Sequence, residues 1–192
     1  MIRRLYDWTM ALAAHHKADR VLAFISFIES SVFPIPPDIL LMPMVLARRE
    51  KAWYLAGLCT VASVCGAMLG YGLGYFAFEA VGRPLFEAYG YMDEFGRFQS
   101  AFNEWGSWLV FIFGITFFPF KVITIASGVT QLNLGVFLLA SIASRALRFY
   151  LVTALLWKFG EPIRTFVEKR LTFITTIFVL LVVGGFVLIR YM

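Results

Sequence analysis

Five apolar runs divide the chain, at 21–47, 53–78, 107–132, 135–157 and 171–189, with short polar or basic segments between them. The last four approach or exceed the roughly 20 residues that a helix needs to cross a hydrocarbon core. The first is interrupted: FIESSVFPIPPDILLMPMVLA (27–47) sets Glu29, Asp38 and four prolines within apolar sequence. A carboxylate at membrane depth costs about 2.5–3.5 kcal/mol on insertion scales, which marks both acids as functional candidates. Prolines remove backbone donors, and the freed groups are tolerable in hydrocarbon only where protein or a water-filled cavity satisfies them. The run therefore predicts a broken, re-entrant element rather than a plain span, with its breaks at Pro34, Pro36 and Pro37. The third run has the same character, with Pro119 inside GITFFPFKVITIASGV (114–129). Between the runs, 84–105 scatters Leu85, Phe86, Tyr89, Phe95, Phe98 and Phe102 among charges, which predicts an interfacial helix with a break near Gly90.

Composition agrees. The chain is 60% hydrophobic and 15% charged over 192 residues, against roughly a quarter charged in soluble domains. It reads as one membrane domain with no separate soluble part. The first 20 residues carry basic groups interrupted by Asp7, His15, His16 and Asp19 and lack a small-residue cleavage site, so they read as a retained amphipathic helix rather than a signal peptide. The net charge of +5 does not point to nucleic acid, because the basic residues flank the apolar runs instead of forming one patch with aromatic platforms. Cys59 and Cys65 lie six apart in one run and suit neither a local disulfide nor a zinc pair.

Basic residues also decide the topology. Five full spans would place Arg48, Arg49 and Lys51 opposite the basic N-terminus, against the positive-inside rule. If 21–47 and 107–132 each enter and leave on one side, and only 52–80, 135–158 and 171–190 cross, eleven Lys/Arg fall on the cytoplasmic side and three (Arg83, Arg97, Arg190) opposite. This arrangement puts the N-terminus inside and the C-terminus outside. It is also an inverted repeat, 21–80 and 107–160, joined by an interfacial linker at 81–106 and followed by an extra C-terminal span within 161–192. Folds of this kind place their site near the midplane, where the discontinuous segments of the halves meet.

The charged residues at that depth come from both halves. The first brings Glu29 and Asp38; the second brings Lys121, two residues after Pro119, and Arg145 and Arg148, three apart on one helix face. Unpaired ions there are prohibitive, so the bases are expected to pair with the acids directly or through water. Three bases against two acids leave positive charge for an anion such as a phosphate head group. The acids can alternatively serve as a proton relay.

Taken together, F-I-E-S-S-x-x-P-I-P-P-D around Glu29 and Asp38, the glycine run GAMLGYGLGY (66–75) and the hairpin FFPFKVITIASGV resemble the DedA family, also called the VTT or SNARE-associated domain. The hairpin looks most like its small YqaA-type subgroup. The resemblance covers roughly 20–160 and implies a bacterial inner-membrane protein with two opposed re-entrant hairpins, in a family linked to lipid translocation and, for some members, to proton-motive force. Glu29 and Asp38 match the family's essential acidic pair. Many members carry arginines three residues either side of the hairpin proline, where this chain has Thr116 and Val122. Lys121 is offset by one from the second, and Arg145 and Arg148 are candidates to replace the missing charge.

Simpler roles stand beside these. Glu29 is compatible with a solvated interfacial position, Asp38 with a helix cap before ILLMPMVL, and Lys121 with a snorkelling side chain. Arg145 and Arg148 are compatible with purely structural ion pairs. Gly66, Gly70, Gly72 and Gly74 read as a close-packing stripe, and Gln131 and Asn133 as ordinary loop residues. No catalytic or metal motif stands out, so a cofactor-free, non-enzymatic role is expected. The resulting expectation is an all-α polytopic protein that moves a phosphorylated or zwitterionic lipid, with Lys121, Arg145 and Arg148 on the head group and Glu29 and Asp38 coupling to protons or substrate. The alternatives are a proton-coupled small-ion or solute transporter and a non-transporting assembly factor. Membrane lipids are the expected partners, and a homo-oligomer is compatible with the sequence.

Overall fold

The computed structural model describes residues 18–31, 36–116 and 119–160. Among them the chain is entirely helical apart from turns. α1 (Ala18–Ser31) and α2 (Asp38–Ala47) form the first broken run. A 3-10 turn (Arg49–Lys51) leads into α3 (Ala52–Ala77), which passes through a π-helical turn (Phe78–Gly82) into α4 (Arg83–Tyr89). α5 (Met92–Ile115) and α6 (Phe120–Val129) form the second broken run, and α7 (Leu134–Phe159) closes the described chain. The predicted N-terminal amphipathic helix, apart from Ala18–Arg20, which begin α1, lies outside the described residues. So do Pro34 and the C-terminal span.

The breaks have local causes. Pro37 stands at the N-cap of α2 with φ −65°, where a missing N–H costs nothing because the first turn leaves its donors unpaired anyway. Pro119 does the same for α6. Gly90 ends α4 at φ 74°, a left-handed conformation that glycine adopts without a Cβ penalty. Asn133 caps α7, its Oδ1 accepting from Val136 N at 3.1 Å, so it is more than the ordinary loop residue its sequence setting indicates. Gln131, read the same way, adopts φ 53° and donates to Glu79 Oε1 at 2.7 Å.

α3 and α7, 26 residues each, are about 39 Å long at 1.5 Å per residue, enough to cross a bilayer core. Both are apolar enough to do so. α2 and α6, with 10 residues each, reach only about 15 Å. α3 packs against α1, α6 and α7, and α5 packs against α7. The glycine stripe makes the closest of these approaches possible: a Cβ on Gly66 would run into the Phe27 carbonyl of α1, and one on Gly74 into the Ile125 carbonyl of α6. Gly70 faces Thr124 and Ser30, whereas Gly72 faces open space and takes no part in the stripe. Gly128 of α6 returns the contact onto the Tyr71 backbone.

Contacts fix which ends lie together. Arg48, just past α2, pairs with Asp19 at the start of α1 at 3.2 Å, so the first helix pair begins and ends at one end of the bundle. At the other end Gln99 and Asn103 of α5 donate to Thr130 O beyond α6, at 2.9 and 3.0 Å. Between these ends, Thr124 Oγ1 of α6 reaches Ser30 O of α1 at 3.3 Å.

Two predicted boundaries move. The linker at 81–106 and the second hairpin starting at 107 are not separate elements, because α5 runs unbroken across that junction. Hydropathy changes there but no breaker intervenes, and Gly106 packs against Leu132 without ending the helix. Helix likewise continues past residue 80 into α4.

Ala at Gly66, Gly74 or Gly128 should lower stability by roughly 1–3 kcal/mol through overpacking. Gly72→Ala should be neutral or stabilising by up to about 1 kcal/mol through helix propensity. Thermal unfolding of the four variants in detergent checks the contrast.

Candidate functional site

Glu29 lies two residues before the end of α1, and Asp38 is the first residue of α2, so the two acids flank the first break. Asp38 is not a cap: Pro37 holds that position, and the Asp38 carboxylate turns to α7 instead. Both acids are buried in the folded chain.

The three-residue spacing of Arg145 and Arg148 puts both guanidinium groups on the buried face of α7. Each takes its own acid: Arg145 Nη2 donates to Glu29 Oε2 and Arg148 Nη2 to Asp38 Oδ2, both at 2.7 Å. Arg145 is wholly buried, with its guanidinium carbon 4.9 and 4.7 Å from the centroids of the Phe120 and Phe149 rings. Guanidinium stacks well on aromatic faces and is more weakly hydrated than an ammonium, which suits arginine to such a site. Arg148 Nη1 also donates to Thr116 O at 3.3 Å, in the break between α5 and α6. A guanidinium from α7 thus arrives at one of the two positions where the family resemblance leads one to expect an arginine. The other, Val122, is half-exposed. Lys121 is the second residue of α6 and half-buried beside the same break.

Sequence reasoning missed two members of the site. Ser30 Oγ lies 3.1 Å from Glu29 Oε2 and 2.6 Å from Ser63 Oγ of α3, and Arg145 Nε donates to Ser63 Oγ at 2.6 Å. A serine in an apolar helix has no distinguishing spacing; only the 33-residue offset shared by Ser26 with Cys59 O and Ser30 with Ser63 shows the register of α1 on α3. The polar groups are not all consumed. Asp38 Oδ1 and Arg145 Nη1 are buried without a hydrogen-bond partner among the described residues. An acceptor and a donor left over beside two ion pairs can receive water or a polar substrate group.

The site therefore joins elements of α1, α2, α3, α6 and α7 around two breaks, and a VTT domain matches residues 35–158. The chain belongs to the VTT domain family, the DedA family. The VTT match takes in Asp38, Lys121, Arg145 and Arg148 and begins just after Glu29. An uncharacterized protein of Haemophilus influenzae is 35% identical over 185 residues, 96% of each chain. An uncharacterized homolog from Histophilus somni is 38% identical over 168 residues, 85% of this chain and 87% of its own. No solved structure matches the chain. As a VTT-domain protein with two long apolar helices, it is a membrane protein.

Removing one partner of a buried pair leaves an uncompensated charge and typically costs about 3–5 kcal/mol, whereas replacing both by apolar groups is often neutral. Glu29→Leu alone or Arg145→Met alone should therefore destabilise strongly, and the Glu29→Leu/Arg145→Met double variant should recover most of the loss. Denaturant unfolding of the purified variants in mixed micelles measures this.

Proposed function

We propose that this protein is a transporter that moves a phosphorylated or zwitterionic lipid between the leaflets of a bacterial inner membrane. The observation that carries the reading is the pair of buried ion pairs, Glu29–Arg145 and Asp38–Arg148, set where the two helix breaks meet. Charge pairs of this kind are poor stabilisers compared with apolar packing. Their value lies in being able to separate and exchange partners, which a route for a charged head group requires. Membership in a family proposed to contain transporters and flippases supports the same reading.

In this mechanism the two broken runs are re-entrant and inverted with respect to each other, with α3 and α7 as the crossing helices and the N-terminus in the cytoplasm. The shared end of α1 and α2, the start of α3 and the end of α7 form the cytoplasmic face, where Arg48, Arg49, Lys51 and Lys158 satisfy the positive-inside rule. A phosphate takes over Arg145, Arg148 or Lys121 as the carboxylates let go. Protonation of Glu29 or Asp38 makes that exchange affordable and biases inward-open against outward-open states. The chemistry is binding and movement, with no bond made or broken in the lipid.

Reconstituted wild type should exchange a polyprenyl phosphate or a phospholipid between leaflets, and folded Glu29→Gln, Asp38→Asn and Lys121→Ala variants should lose at least tenfold in rate, the loss of one charge-assisted hydrogen bond of about 1.5–3 kcal/mol. Absence of exchange of any lipid by well-folded wild type, with and without a proton gradient, would contradict the reading and leave solute transport or an assembly role. The topology has its own check. In a Cys59→Ala/Cys65→Ser background, cysteines at Lys51 and Lys158 should label from the cytoplasmic side and one at Glu94 from the other; labelling of Lys51 and Lys158 from opposite sides would contradict it.

A further inference from the structure

Arg145, Ser63, Ser30 and Glu29 close a four-membered hydrogen-bond ring that spans α7, α3 and α1. Two of its bonds have a fixed direction, those that Arg145 donates. A guanidinium has no acceptor, so Arg145 Nε–H donates to Ser63 Oγ. Either serine can donate across their 2.6 Å contact; with Ser63 as the donor, the hydroxyl of Ser30 donates to Glu29 Oε2 at 3.1 Å. Glu29 Oε2 receives both ends of the ring, from Ser30 and from Arg145 Nη2. Ser30 has a second acceptor, Ser26 O at 3.2 Å, so its hydroxyl is not orphaned when the carboxylate releases it.

We propose that Ser63 and Ser30 are positioning residues for the Glu29–Arg145 pair. Two of the three guanidinium nitrogens, Nε and Nη2, are committed to the ring, and the group also lies over the Phe120 and Phe149 rings. This leaves Nη1 as the buried donor held ready for a substrate oxygen. The orientation depends on Ser63, since Nε is the atom whose bond sets the rotation of the guanidinium about its stem. The role in transport rests on the proposal that Arg145 contacts the head group; the role in orienting Arg145 stands without it.

The test uses full-length protein in nanodiscs with 15N-labelled arginine, the Arg145 Nε–H resonance being assigned by its absence in Arg145→Lys. In wild type this proton should be protected from solvent exchange, and Ser63→Ala should shift the resonance and speed its exchange by roughly tenfold or more. Ser63→Thr, which keeps the hydroxyl, should restore both. Lipid exchange in proteoliposomes should fall with Ser63→Ala in the wild-type background and fall no further in Arg145→Lys, because the two residues act as one unit. An unchanged Nε–H signal in Ser63→Ala would overturn the proposal, as would equal fractional losses in both backgrounds, the mark of a merely structural serine. If wild type moves no lipid, the transport reading fails while the resonance measurement still decides whether Ser63 orients Arg145.

Discussion

Taking charge out of water is the costliest thing this chain does, and the rest of the bundle is arranged around it. Two carboxylates and two guanidinium groups are buried among apolar helices, each acid with one arginine at 2.7 Å. Isolated, any one of them would carry a desolvation penalty of several kcal/mol. Paired, they tie α1 and α2 to α7, and through Ser63 to α3. The broken helices bring the ends of short elements into the interior, where their carbonyls also need donors. Arg148 supplies one by reaching Thr116 O.

Such pairing requires α1 and α6 to approach α3 very closely. Gly66, Gly70 and Gly74 recur every four residues on one face of α3, and on that face two backbone carbonyls occupy space that a side chain would need. Without a hydrophobic effect between helices in lipid, close packing of this kind is the principal attraction that holds them. The stripe and the charges are thus parts of one device. Glycines bring the backbones together, and the serines and charges that this closeness brings within reach bond to one another, leaving Asp38 Oδ1 and Arg145 Nη1 over.

Much of this was legible in the sequence where the signal is local. Pro37, Pro119 and Gly90 mark breaks because their backbone chemistry acts at their own position. The meeting of acids with Arg145 and Arg148 was legible from charge economy, since no cheaper state exists for them inside an apolar bundle. The choice of partner was not, because it depends on the rotation of α7 about its axis. The unbroken course of α5 was hidden because hydropathy reports where apolar sequence starts, and a helix can continue across that change. Gly72 was indistinguishable from its neighbours until packing showed its face to be open. Ser30 and Ser63 were invisible for a similar reason, as their roles come only from the register of α1 on α3.

Transport through these ion pairs depends on the depth at which the two breaks sit. Ile39, one residue past Asp38, and Thr116, in the second break, are both exposed on the bundle surface and can carry nitroxide labels, with Trp53 and Leu134 as references near the two ends. Spin-label accessibility to oxygen and to a polar nickel chelate in reconstituted bilayers reports depth directly. Both break positions should lie deeper than both references, near the bilayer centre. A label at Ile39 or Thr116 found at head-group depth would place the ion pairs at the interface and contradict the account.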